Sequence, residues 1–308
     1  MTRLILLIII VLGQWCRAWE QAVPAEIARD YLQSDTVLDE TPCNWREPVA
    51  AIFRPAVQHC RSAREAALHI AAHMTELTGA YYSTERRKPN MNALEALEEK
   101  KISCTGQSVL LVCALRSVGI PARAVMVPTW GHIRGNHTWV EAWVDAEWHM
   151  LEFNERDFNT PWVMEYIGML DPTRPEQRIY AYSPSQPQLC FRYGPSIIPA
   201  VDVTARYLAL ARDWYAKAKL PPDHQRLLVD VQPRPATPLT LYLETADGSI
   251  LATAPSPTTQ SDLRYFTPFN LPRTAGPHFL RLGSSPSRTP ISPTPPPAQV
   301  IVMTQKRE

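Results

Sequence analysis

Residues 103–130, SCTGQSVLLVCALRSVGIPARAVMVPTW, decide the fold of this chain, because a cysteine opens an apolar run that contains a second cysteine. The apolar run predicts a helix over Cys104–Val118, and its first turn holds the first cysteine. Gly119 is typical of a helix C-cap, and Pro121 prevents the helix from continuing. The following residues, Arg123–Val127, read as a β-strand. The stretch therefore predicts a helix that leads directly into a sheet.

A second stretch, GNHTWVEAWVDAEWHMLEFNERDFNTPW at residues 135–162, predicts a β-hairpin. His137–Val144 alternates with the period of a strand, and Trp148–Phe153 can pair with it. Asp145-Ala146 stands where a two-residue turn belongs, although Asp-Gly would suit that turn better.

The register of this hairpin determines which residues lie opposite and diagonal to His137. If the strands pair directly across the turn, His137 lies opposite Asn154 and diagonal to Glu152, and Trp139 shares the face of His137. Glu155 falls on the other face in this register, and a bulge would reverse that.

Cys104 has the setting of a nucleophile. The N–H groups that lack helical partners in the first turn, together with the helix dipole, favour a thiolate there. The same N–H groups can hold an oxyanion after a carbonyl is attacked. A base must come from elsewhere in the chain, and the histidines considered are His59, His69, His73, His132, His137 and His149. His137 is favoured because it begins a strand after a glycine-containing loop, whereas Cys113 lies on the apolar side of its helix and is read as core packing.

Composition excludes some functions and suggests a compartment. The 308 residues carry a net charge of +1, so nothing indicates a nucleic-acid partner. Residues 1–18 have the charged start, apolar centre and small-residue end of a signal peptide. We therefore expect export to the periplasm or the extracellular space, with an uncleaved membrane anchor as the alternative. No other segment is expected to span a membrane.

Export would place the cysteines in an oxidising compartment, where cysteines tend to form disulfides. Five remain after residue 18, so at least one thiol lacks a cysteine partner, and Cys43 could pair with Cys60. The sequence indicates no metal and no cofactor, since it contains no CxxC, no HExxH and no phosphate-binding loop.

The chain divides by composition into four predicted parts. Residues 1–18 are the signal peptide, residues 19–61 a helical N-terminal region, residues 62–220 an α+β domain, and residues 223–308 a small all-β, sandwich-like domain. Within the last part, Pro286–Pro297 is expected to form an extended loop.

At this point the residues match a family. The helix start Cys-Thr-Gly, followed by the strand Gly-Asn-His-Thr-Trp-Val-Glu and a Trp-His hairpin return, resembles the transglutaminase-like core of the papain-like cysteine enzymes. The resemblance is close to the exported bacterial branch and covers residues 66–162. It implies an α+β, transglutaminase-like fold in which Cys104 is the nucleophile and His137 the base. It offers two acids as the third residue, Glu152 and Glu155, whereas the hairpin register favours Glu152.

The resemblance implies acyl transfer through a thioester, on a protein, peptide or cell-wall-type amide. We expect hydrolysis, because water needs no second binding site and the bacterial members are commonly considered proteases. Expected groove residues are Gln107, Trp130, Asn136 and Trp139. The alternative is a non-enzymatic scaffold at the cell surface, in which the C-terminal β domain binds a polysaccharide or a protein partner.

Overall fold

The computed structural model describes residues 19, 23–131, 135–193, 196–217, 223–259, 266–272, 276–291 and 298–304. The predicted signal peptide and His132 lie outside these residues. Contacts divide the chain into two compact units, the first formed by the residues up to Trp130 with Arg134–Thr160 and Pro172–Thr204, and the second by the remainder. This division assigns residues 161–171 and 205–217 to the second unit. The domain boundaries predicted from composition, at 61/62 and 220/223, stay a prediction.

Among the described residues, six α-helices begin and end within the first unit. They are α1 (Ala25–Tyr31), α2 (Arg46–Ala56), α3 (Ala63–Ala72), α4 (Met74–Thr78), α5 (Ala93–Glu99) and α6 (Cys104–Ser117). The capping pair Ser62 and Glu65 and the apolar repeat after it predict a single helix from Ala63 to Leu77, but the helix is divided at His73, whose φ of −117° and ψ of 18° are not helical. The predicted helical N-terminal region corresponds to α1 and α2.

The sheet of the first unit has six antiparallel strands in the order β5-β4-β3-β6-β8-β7. These strands are β3 (Ala122–Val127), β4 (His137–Val144), β5 (Glu147–Leu151), β6 (Tyr180–Tyr182), β7 (Leu189–Tyr193) and β8 (Ser196–Asp202). A short parallel pair, β1 (Tyr81–Tyr82) with β2 (Lys101–Ile102), precedes α6. Helix α6 contacts β3 and β4, and every residue of α6 after Cys104 is buried. The helix is therefore the central element against which the sheet packs.

Helix α6 begins and ends where the sequence indicates. The Ser103 hydroxyl oxygen accepts a hydrogen bond from the Gly106 N–H at 2.9 Å, which makes Ser103 the N-cap. The same hydroxyl donates to the carbonyl of Pro89. At the other end, Gly119 adopts φ of 88°, which glycine reaches without the strain that a side chain would add. These two ends fix Cys104 as the first residue of the helix.

The hairpin has the predicted register near its turn. Val144 pairs with Glu147, and Asp145 and Ala146 both have positive φ, at 54° and 62°. The pairing extends only to Val140 opposite Leu151.

The predicted pairing of His137 with Asn154 is therefore not formed. Asn154 has φ of 65°, and its N–H donates to the carbonyl of Ala71 at 2.8 Å, so the chain turns away from β4 after β5.

The second unit contains a short helix, α7 (Pro161–Ile167), most of α8 (Thr204–Lys217) and two sheets. The first sheet has the order β11-β10-β13-β14 and the second the order β12-β9-β15. Their strands are β9 (His224–Gln232), β10 (Thr240–Thr245), β11 (Ile250–Pro255), β12 (Thr267–Pro272), β13 (His278–Leu282), β14 (Arg288–Ile291) and β15 (Ala298–Thr304). Apolar residues of both sheets share one core, including Leu227, Leu243, Phe269 and Leu280. Together with the first unit, this confirms the predicted α+β class with a C-terminal sheet region.

Several predicted elements differ from the observed ones. Helix α7 is shorter than the predicted Phe158–Leu170, and α8 replaces the predicted Asp202–Leu220, of which residues 218–220 lie outside the described part. Part of the predicted loop Pro286–Pro297 is strand β14. Strand β14 lies within that predicted loop, and β12 corresponds to no predicted element. Both contain prolines and lie at sheet edges, where proline is tolerated.

Two further observations concern the described residues only. None of their helices is both long and apolar enough to cross a membrane. No disulfide joins any two of the described cysteines, Cys43 and Cys60 included.

Candidate active site

Cys104 lies at the edge of a small cavity, at the start of α6. It is half-buried, whereas the residues that follow it in the helix are buried. The cavity has a volume of about 130 Å³, and its lining residues are Arg86, Pro89, Asn90, Ser103, Cys104, Thr105, Asn136 and Tyr193. A small ligand can therefore reach the first turn of the helix.

Two hydrogen bonds join the first turns of α6 to the start of β4. The hydroxyls of Thr105 and Thr138 lie 3.1 Å apart, and the Ser108 hydroxyl donates to the Thr138 carbonyl at 2.9 Å. Thr105 directly follows Cys104, and Thr138 directly follows His137. The structure therefore brings together the two chain segments that carry the predicted nucleophile and base.

His137 is held by an acid and by two indole rings. Its side chain is almost fully buried, and Nε2 lies 2.6 Å from Oε1 of Glu152. The rings of Trp130 and Trp139 stack on the imidazole, with centroids at 6.3 Å and 5.8 Å. If the Glu152 oxygen accepts this hydrogen bond, Nε2 carries the proton, and Nδ1 is the ring nitrogen without one.

The two candidate acids have different positions. Glu152 is buried and contacts His137, although it lies just beyond the last paired residue of β5. Glu155 is half-buried, and its N–H donates to the Glu152 carbonyl at 3.4 Å. The carboxyl group that contacts the imidazole is therefore that of Glu152, which lies just beyond the paired part of β5.

The four predicted groove residues divide into three groups. Asn136 is exposed and lines the cavity. Trp130 and Trp139 are buried against His137 and hold the ring rather than forming an open wall. Gln107 is buried within α6 and does not line the described cavity.

Tyr193 was missed by the sequence reasoning. It ends β7, its hydroxyl lies 2.8 Å from the Thr138 hydroxyl, and its side chain lines the cavity. Burial raises the pKa of Tyr193, and the negative charge of a Cys104 thiolate raises that pKa further. The phenol therefore stays protonated and can donate a hydrogen bond. Because β7 and β4 are not neighbours in the sheet, no local pattern could have paired Tyr193 with Thr138.

The described residues contain no cluster of three or more histidine, cysteine or acidic side chains that could hold a metal ion.

Comparison with known proteins finds a family model that matches part of the chain. Residues 50–153 match the model of the transglutaminase-like superfamily. None of the curated proteins matches the chain. One similar solved structure is the transglutaminase of red sea bream, at 12% identity and a TM-score of 0.42, with 85% of this chain and 62% of that chain covered. Another is a candidate cysteine protease from Cytophaga hutchinsonii, at 14% identity and a TM-score of 0.32, with 37% of this chain and 40% of that chain covered.

This chain spans less than two thirds of the length of either protein. The resemblance to an exported bacterial branch is not tested by these matches and stays a prediction. The matched segment contains Cys104, His137 and Glu152, which the sequence analysis predicts as nucleophile, base and acid. Residues 50–153 thus form a transglutaminase-like core, of the superfamily to which the sequence motifs pointed.

Proposed function

We propose that the chain is a cysteine enzyme that transfers an acyl group from an amide to water, through Cys104, His137 and Glu152. The observation that carries the proposal is the 2.6 Å contact between Nε2 of buried His137 and the Glu152 carboxylate, beside a half-buried cysteine at a helix start. Such an arrangement orients an imidazole so that its second nitrogen can accept a thiol proton.

The reaction proceeds in two halves. Nδ1 of His137 accepts the Cys104 proton, and the sulfur adds to the amide carbonyl carbon to give a tetrahedral oxyanion. The oxyanion collapses as the C–N bond breaks, and the imidazolium donates its proton to the leaving amine, which leaves a thioester on Cys104. Water then attacks the thioester with His137 as the base, and the acid product leaves as the thiol is restored.

The surroundings supply the remaining electrostatics. The N–H groups at the start of α6 are the proposed donors to the oxyanion, apart from that of Gly106, which already donates to the Ser103 hydroxyl. The protonated Tyr193 hydroxyl is a further donor in the same cavity. The indoles of Trp130 and Trp139 exclude water from the faces of the imidazole, which keeps its hydrogen bond to Glu152 strong.

Water is the proposed acceptor because the described cavity is small. About 130 Å³ accommodates the reacting amide, and a bulky amine acceptor would need further space. The proposed substrates are protein, peptide or cell-wall-type amides. Residues 1–18 support the further proposal that the protein is exported, which fractionation of expressing cells tests by locating the full or shortened chain.

A panel of peptide amides, assayed for ammonia or amine release with and without an added primary amine, tests the function. We expect release that depends on Cys104 and is little changed by the amine. Amine incorporation at the expense of hydrolysis would identify cross-linking instead. A Cys104→Ala variant equal to the wild type on every substrate that is turned over would reject the enzyme and favour the scaffold alternative.

A further inference from the structure

The cavity beside Cys104 has one cationic side chain in its lining. The other described lining residues are Pro89, Cys104, two carboxamides, two aliphatic hydroxyls and the Tyr193 phenol, and none of them is an acid. Such a lining offers hydrogen-bond donors and a positive charge to whatever enters, which favours an anion over a cation.

Arg86 differs from the other basic residues around it. Lys88 lies 2.7 Å from Glu95, Lys101 lies 2.9 Å from Glu85, and Arg87 contacts Glu95 and Glu99. Arg86 is half-buried, donates one bond from Nη1 to the Ser83 carbonyl at 2.7 Å, and forms no ion pair with any described residue. Its guanidinium charge is therefore not neutralised by a carboxylate of the described protein.

An acidic group, Asp39, contacts one of the lining residues. Asp39 accepts a hydrogen bond from Nδ2 of Asn90 at 2.9 Å, and its charge contributes to the raised pKa of Tyr193. Asp39 does not itself line the cavity, whereas Arg86 does. The guanidinium is thus the charge that a ligand in the cavity meets directly.

We propose that Arg86 binds a carboxylate of the substrate, so that the preferred substrates are peptides or amides with an acidic group close to the scissile carbonyl. The proposal rests on the proposed function for its substrate, but the anion preference is a property of the cavity itself. A planar guanidinium can take a carboxylate with two parallel hydrogen bonds, which an ammonium group cannot do in the same way. Asn90 and Asn136 add neutral polar contacts on the same cavity wall.

Two alkylating reagents of similar size test the preference without a known substrate. Iodoacetate and iodoacetamide both react by displacement of iodide from a methylene carbon by the cysteine sulfur, and only the first carries a carboxylate. The ratio of their rate constants at Cys104, measured at pH 7 and low salt by peptide mapping, reports attraction of the anion. His137 and the remaining charges of the site are the same in every variant, so the change between variants is the readout.

We expect Arg86→Gln to lower the ratio by about 3- to 10-fold, as the loss of one nearby partly desolvated charge implies. The matched control Arg87→Gln removes a cation that is already paired with acids and leaves the ratio within about twofold. Arg86→Lys keeps the charge and retains most of the preference. Arg86→Ala replaces the glutamine variant if thermal melting shows that the latter does not fold.

An unchanged ratio in a folded Arg86→Gln or Arg86→Ala protein overturns the proposal, and so does an equal fall in Arg87→Gln. Failure of the proposed function has a different signature. In that case Cys104 reacts with both reagents no faster than a small thiol, and His137→Asn changes neither rate, while the ratio still reports Arg86.

Discussion

Cys104 and Cys113 stand on the same helix, yet their surroundings give them different chemistry. Cys104 begins α6 at the edge of a polar cavity, whereas Cys113 is 1% exposed within the apolar core. Burial raises the pKa of the Cys113 thiol, which therefore stays protonated at neutral pH. The residue type alone therefore does not distinguish the candidate nucleophile Cys104 from the core residue Cys113. Their positions along the helix do.

Replacing each cysteine by alanine should give the largest contrast. We expect Cys104→Ala to lower amide hydrolysis by about 10⁴-fold or more, because Cys104 is the only thiol in the described lining of the cavity. Cys113→Ala should retain most of the activity and lose stability instead, by about 1 kcal/mol for the small cavity left. Steady-state kinetics and urea unfolding measure the two effects. A Cys113→Ala protein that is folded and inactive would break the comparison.

The acid that orients His137 provides the second contrast. Glu152→Gln removes the charge that holds Nε2 and should lower kcat by about 10²–10⁴-fold, since the imidazolium loses its partner. Glu155→Gln, three residues away, should stay within about twofold of the wild type. Equal losses in the two variants, or a larger loss in Glu155→Gln, would move the orienting role to Glu155.

At alkaline pH, the buried Cys113 should lower the free energy of unfolding as the pH rises. The folded-state pKa of Cys113 lies above its unfolded value, so its contribution to stability is complete below the unfolded pKa and declines as the pH rises above about 8.5. At pH 9–11 the wild type should lose stability relative to Cys113→Ala at about 1.4 kcal/mol per pH unit. Urea midpoints collected across this range provide the comparison. Parallel curves for the two proteins would show that Cys113 does not carry the effect.

The N-cap of α6 gives the smallest expected effect. Ser103→Ala removes the acceptor for the Gly106 N–H and the donor to the Pro89 carbonyl, and should cost about 0.5–2 kcal/mol in unfolding free energy. Ser103→Thr keeps a hydroxyl and is the matched control. Because Ser103 and Pro89 both line the cavity, the alanine variant should also slow Cys104 alkylation. No change in stability would indicate that water replaces the cap.

Local signals accounted for the core elements of the fold. The turn at Gly119 placed the end of the predicted helix within one residue of its observed end, and the turn Asp145-Ala146 set the hairpin register. These features depend on neighbours in the chain, so a single sequence carries them. The fold class and the family followed from the same residues.

What the sequence could not give depends on distant contacts. Asn154 leaves the sheet because its N–H finds the Ala71 carbonyl, and no alternation pattern shows that bond. Tyr193 and Arg86 reach the cavity from a separate strand and a loop, with no motif of their own. Strands β12 and β14 contain prolines, which are tolerated because both strands lie at sheet edges, and an edge position is also set by distant pairing.

The central claim is that His137 activates Cys104 to form a thioester, and acylation by an activated acetyl ester tests it most directly. Intact mass and peptide mapping follow the acetyl group in the wild type, Cys104→Ala and His137→Asn. We expect one acetyl group on Cys104 in the wild type, none on that helix in Cys104→Ala, and acylation slowed by about 10²-fold or more in His137→Asn. Acetylation of another residue, or an equal rate at Cys104 in His137→Asn, would contradict the account.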